Sequence, residues 1–188
     1  MKHFAMLALV VVMLVTFTGV ASAADPVVGT FTIRGYTTEY TFHKLPNGLT
    51  SYHLLAKSSG SPADEAACQA LYGMRCKKTC PKFLSAACGV TGYFNGQFTY
   101  EEWGTVDLDP VTGEGSGVGK NVSVLTVNAS DGKVMAGLIG KIDRQGVTGK
   151  FVLQQKNGTG AHRGLEGAGD YTGSGGLVFA VTFTGEFH

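Results

Sequence analysis

"LVFAVTFTGEF", residues 177–187, decides the fold. Leu177, Phe179, Val181, Phe183 and Phe187 fall on one face with Gly185 among them, while Val178, Ala180, Thr182, Thr184 and Glu186 fall on the other. A period of two without a slip is the pattern of a strand with one face buried. Weaker copies of it run through the chain. Val27, Phe31 and Ile33 alternate with Val28, Thr30, Thr32 and Arg34. Tyr36, Thr38, Tyr40 and Phe42 continue the alternation, and Leu49 to Ala56 follows the Pro46-Asn47-Gly48 turn. Further strands are expected over 96–103, 120–128, 133–142 and 147–155, with Val134, Ala136, Leu138 and Ile142 sharing one face. Asp109-Pro110, Ser130-Asp131-Gly132, Arg144-Gln145-Gly146 and Lys156-Asn157-Gly158 supply the turns. Eight or nine short strands joined by hairpin-sized turns predict a mainly β fold, an antiparallel meander closing into a small barrel of about eight strands. Closure is preferred to a two-sheet sandwich because strongly alternating terminal strands would otherwise leave an adhesive edge.

The chain's start sets the compartment. Lys2 and His3 precede an apolar or small-residue run from Phe4 to Val20, followed by Ala21-Ser22-Ala23. This reads as a secretory signal over residues 1–23, cleaved before Ala24, rather than as a membrane anchor. The product, residues 24–188, is expected to be a single secreted or periplasmic domain with no membrane span. Of the whole chain's 28 glycines, 27 lie beyond residue 23, and they favour turns and bulges over long helices. With 15 basic and 14 acidic side chains in the whole chain, charge points to neither nucleic acid nor an anionic surface as partner.

One block breaks the β pattern. Ser61 is placed to cap a helix with Pro62 at its first position and Asp64 and Glu65 in its first turn, and Lys77 and Lys78 lie near its end. Pro81 then opens a second short helix that Gly89 terminates. An α-hairpin inserted at 61–89 is expected. It carries all four cysteines, Cys68, Cys76, Cys80 and Cys88, in the palindromic spacing C-x7-C-x3-C-x7-C. In an exported chain such a cluster reads as disulfides. C-x2-C zinc knuckles and a C-x-x-C redox pair are both missing. A hairpin folding back near Pro81 favours the nested pairing, Cys68 with Cys88 and Cys76 with Cys80; the pairing Cys68 with Cys80 and Cys76 with Cys88 stays open.

"GKFVLQQKNGTGAHRGLEGAGDYTG" followed by "FAVTFTGEF", from Gly149 to Phe187, resembles the ending of the β-barrel group that includes plant allene oxide cyclases and small bacterial secreted proteins: a G-x-F-x-L strand, a glycine-punctuated turn and strand, and a closing T-G-x-F strand. The resemblance spans about 40 residues, echoed in Gly29 to Ile33, and has no counterpart of the cysteine block. It implies a barrel whose interior holds an apolar ligand. The catalytic residues of the plant enzymes lie outside the matched stretch, so it carries no activity over.

Chemistry elsewhere is sparse. His43, His53 and His162 show no metal-ligand spacing, and neither metal nor cofactor is expected. His162 and Arg163 share a glycine-rich turn with Glu166 and Asp170, which reads as exposed turn polarity. Of Glu101 and Glu102, neighbours on a strand beside Trp103, at most one can point inward. Gly113 to Lys120 lacks the phosphate-loop pattern, since Asn121 follows Lys120, and no serine lies in a nucleophile elbow. Asn121, Asn128 and Asn157 each open an N-x-[ST] triplet, which matters only on a glycosylating export route. Two functions follow. The first is a non-enzymatic binding barrel whose lumen, lined by Phe31, Ile33, Phe151, Leu153, Phe179, Val181 and Phe183, holds a small apolar molecule or simply packs on itself. The second is a cofactor-free isomerase or cyclase that uses one lumenal carboxylate or tyrosine.

Overall fold

The computed structural model describes residues 25–58, 88–174 and 178–188, and of Phe179 the backbone alone. The expected leader at 1–23, residues 59–87 with the expected α-hairpin, and Leu177 lie outside the described residues. Among the described residues nine strands form one antiparallel sheet: β1 (Val27–Lys44), β2 (Thr50–Lys57), β3 (Gly89–Gly92), β4 (Gly96–Val106), β5 (Gly119–Ala129), β6 (Gly132–Asp143), β7 (Gly146–Leu153), β8 (Gly167–Ser174) and β9 (Val178–Phe187). From β4 to β9 each strand pairs with the next, and β9 returns to pair with β1 from Val27 to Tyr36. The sheet therefore closes into a ring of eight strand positions.

One position is shared. The other edge of β1 holds β2 opposite Tyr36–Lys44 and β3 opposite Phe31–Arg34, and β4 pairs with β2 along Thr99–Val106 and with β3 at Gly96. β2 and β3 are thus two halves of one strand, interrupted where the chain leaves at Ser58 and returns at Cys88. This corrects the inserted unit's expected boundary. Gly89 opens β3 instead of ending a helix. It holds a positive φ of 143°, and an added Cβ would sit 2.7 Å from the Gly96 carbonyl. Cys88 is disulfide-bonded, and its partner lies outside the described residues.

The two stretches expected at the N-terminus are one 18-residue strand. A register shift lies between Thr37 and Glu39. Phe31 and Ile33 are buried, whereas Tyr40 and Phe42 are exposed along with every residue from Glu39 to Lys44, where β1 has run past β9 and pairs with β2 alone among the described strands. Tyr36 is buried apart from the main core, against Cys88 and Val178.

The interior follows the alternation. Phe31, Ile33, Phe98, Leu125, Val127, Val134, Ala136, Leu138, Phe151, Leu153, Val181, Phe183 and Phe187 all belong to one buried cluster. Phe31 stacks on Phe183 with centroids 4.6 Å apart and meets Phe94 edge-on at 5.0 Å; Phe151 meets Phe183 edge-on at 5.5 Å. Each such pair contributes about 0.5–1.5 kcal/mol beyond its buried area. The rings fit because glycine faces them. Across the sheet Phe151 is followed by Gly169, Gly185 and Gly29, and a Cβ on Gly185 would lie 2.8 Å from the Phe151 ring. Outside, the seam between β1 and β9 is polar: Thr30 pairs with Thr184 at 3.2 Å and Thr32 with Thr182 at 3.0 Å.

Candidate functional site

On three neighbouring strands the in-and-out pattern is reversed. β4 turns Glu102 inward and Trp103 outward, β5 turns Asn121 inward and Val122 outward, and β6 turns Gly140 inward and Ile139 outward. Trp103, Val122 and Ile139 are direct cross-strand neighbours, as are Gly104, Asn121 and Gly140. These positions therefore form one contiguous patch of the wall, polar inside and apolar outside.

Its inner side is a closed hydrogen-bond network. Glu102, 5% exposed, accepts from Tyr52 Oη at 2.6 Å, from Asn121 Nδ2 at 2.7 Å and from Tyr100 Oη. Tyr100 has one proton, which goes to Glu102, so Ser123 Oγ at 2.8 Å donates to the phenol oxygen. Tyr171 Oη reaches Asn121 Oδ1 at 3.4 Å. Tyr171 lies along the wall in space that glycine leaves: a Cβ on Gly149 would be 2.7 Å from its ring, one on Gly140 would fall on its hydroxyl, and one on Gly104 would strike Tyr52 at 2.5 Å. Burial, followed by the neighbouring Glu102 charge, holds the Tyr52 and Tyr100 phenols far above their ordinary range. Burial pushes Tyr171 up to about 12, against the Asn121 hydrogen bond. All three are neutral donors throughout the physiological range. Among the described residues no buried side-chain polar atom lacks a partner, so this network is complete.

The outer side is a cleft of about 1060 Å³ that runs over β4 to β8 and takes in Trp103, Val122, Ile139, Lys120, Lys141 and Lys150. Val122 is 51% and Ile139 64% exposed. His53 stacks on Trp103 at 5.3 Å, nearly parallel, and its Nε2 lies 2.9 Å from Glu101 Oε1, which fixes the back of the indole. At the far end Lys150 Nζ meets Asp170 Oδ1 at 2.5 Å.

The expected lumen residues Phe31, Ile33, Phe151, Leu153, Val181 and Phe183 all face inward and pack on one another. Of the expected acidic pair, Glu102 is the inward one. The histidines are not brought together: His43 is exposed, His53 lies on the outer wall, and His162 meets Asp131 at 3.0 Å and the edge of Phe94. Among the described residues no group of three or more possible metal ligands forms, and no helix is long and apolar enough to cross a membrane. Sequence reasoning missed Tyr52, Tyr100, Asn121, Ser123 and Tyr171. The findable signal was in "NVSVLTV", residues 121–127, where Asn121 and Ser123 occupy the face that Leu125 and Val127 make apolar. No family model and no curated protein matches the chain.

Proposed function

We propose that the protein is an exported, non-enzymatic β-barrel that binds a small ligand with a large apolar part, and that the ligand sits in the outer cleft rather than in the lumen. One observation carries the reading: the reversed patch on β4, β5 and β6 exposes Trp103, Val122 and Ile139 side by side over a cleft of a size that suits a small molecule. Local departures from the fold's own pattern concentrate where function demands them. The inward faces, by contrast, hold aromatic rings already in contact with one another. Export rests on the leader at 1–23, barrel closure on the ring, and stapling of the insertion on the four cysteines and the bonded state of Cys88.

The chain's single tryptophan lines the cleft, so binding reports itself. Titration with 1-anilinonaphthalene-8-sulfonate and with dodecanol should each saturate near one per chain with a change in Trp103 emission. Ile139→Glu should abolish both responses, and Phe183→Ala should leave both at any temperature where that variant stays folded. Loss with Phe183→Ala but not with Ile139→Glu would return the site to the lumen.

A second reading, the cofactor-free isomerase, draws on Glu102, a buried carboxylate that accepts from two phenols, Tyr52 and Tyr100, and from the Asn121 amide. It ranks below the first because the three donors already satisfy that carboxylate. To act as a base it would have to shed one of them.

A further inference from the structure

Beside the apolar row lies a second outer row, in which Lys120 on β5 stands directly opposite Lys141 on β6. Like charges facing each other across an antiparallel pair are destabilising. Neither lysine has an acidic partner among the described residues, whereas Lys150, next to Ile139 at the far end of the same cleft, is paired with Asp170, and Lys44 on β1 with Asp109. Charges of this kind can serve to guard a sheet edge, but β5 and β6 are each paired on both sides and have no edge to guard. The pair opens instead onto the cleft, two residues along β5 from Val122 and two along β6 from Ile139. That is a step of about 7 Å from cation to apolar surface, and the apolar row from Trp103 to Ile139 spans two strand spacings, about 10 Å.

From this juxtaposition we infer that the ligand is a single-chain amphiphile with an anionic head. The head is held between Lys120 Nζ and Lys141 Nζ, and the chain lies across Val122 and Ile139 onto the face of Trp103. The inference rests on the cleft reading above and supplies the ligand class. A head bearing a full negative charge relieves the repulsion between the two lysines when it binds, and two ammonium groups act as point charges that suit a carboxylate or a phosphate alike.

The test is Trp103 emission on the purified full-length protein, titrated with dodecanoate, dodecyl phosphate, dodecanol and dodecyltrimethylammonium below their micellar concentrations. The two anions should bind about tenfold more tightly than dodecanol, with the cation weakest. The better of the two anions identifies the head. Lys120→Gln with Lys141→Gln should remove that advantage and leave dodecanol binding unchanged. The same double variant, without ligand, should melt no lower than wild type, because a repulsive pair has gone. Equal binding of anions and dodecanol, or an anion preference that survives the double variant, overturns the anionic head and leaves the cleft standing. If no probe binds a folded protein, both readings fall. Should anionic vesicles bind while monomeric dodecanoate and dodecyl phosphate do not, the single-chain ligand is refuted in favour of a membrane surface.

Discussion

Replacing Glu102 by leucine tests whether the polar network inside the reversed patch holds the wall together. The substitution removes the acceptor of Tyr52 Oη and Asn121 Nδ2, and one partner of Tyr100, which retains Ser123. Two buried donors lose the partner described here, each at about 1–3 kcal/mol, so a destabilisation of about 4 kcal/mol is expected. For a chain of this size that lowers the melting temperature by about 8–16 °C. Adding Tyr52→Phe and Tyr100→Phe removes the phenols that Glu102→Leu leaves behind and should restore at least half of the loss. Deleting both partners of a buried bond is far milder than deleting one. Guanidinium unfolding followed by far-UV circular dichroism measures this, with an unchanged slope certifying that only stability has moved. A triple variant no more stable than Glu102→Leu, or a Glu102→Leu protein as stable as wild type, would refute the account.

Three other outcomes follow from the same geometry. In an alkaline titration monitored at 295 nm, Tyr171 should ionise only near pH 12, and Tyr52 and Tyr100 later still. Their folded values lie above the unfolded one, so the stability they contribute is complete below about pH 10 and is lost as pH climbs through the folded values; phenol ionisation complete by pH 11 with the fold intact would contradict this. Gly140→Ala should cost about 1–3 kcal/mol by overpacking, read as a lowered denaturation midpoint, because its Cβ meets the Thr148 carbonyl at 2.6 Å as well as the Tyr171 hydroxyl, and backbone cannot step aside. Replacing residues 59–87 by a two- or three-residue Gly-Ser linker should leave β-type circular dichroism and a cooperative melt, since β2 and β3 already abut along β1; an unfolded product would show that the removed segment completes the core.

The strands with clean alternation were readable from sequence because one rule governs them, apolar in and polar out. Val181, Phe183 and Phe187 on β9 and Val134, Ala136 and Leu138 on β6 were found on their expected face for that reason. β8 carried little signal of its own: its inward positions are Gly167, Gly169, Tyr171 and Gly173, three of them without a side chain to count. β3 was lost because four residues ending a cysteine-rich block show no period. The polar network was hidden for a different reason. Its members come from β2, β4, β5 and β8, and each alone looks like an ordinary exposed polar residue or an ordinary core tyrosine. Only the register, which sets Tyr52 beside Gly104 and Asn121 beside Gly140, makes them one group. The outer cleft was not legible: Trp103 entered only as a neighbour of Glu101 and Glu102, and Val122 and Ile139 lie in expected strands where period alone does not set two apolar residues beside it.

The split strand has a further meaning. Lys57 lies opposite Tyr36 and Gly89 opposite Arg34, so the chain leaves the sheet and re-enters it within about two residue steps. The ring is then a frame with a socket between Ser58 and Cys88, and the described rungs on either side of it are made by β1, β2, β3 and β4 alone. Doubling the length of such an insert adds only about 0.6 kcal/mol of closure entropy. Segments of quite different size, an epitope or a small stapled domain, become interchangeable there while the frame and its cleft stay as they are.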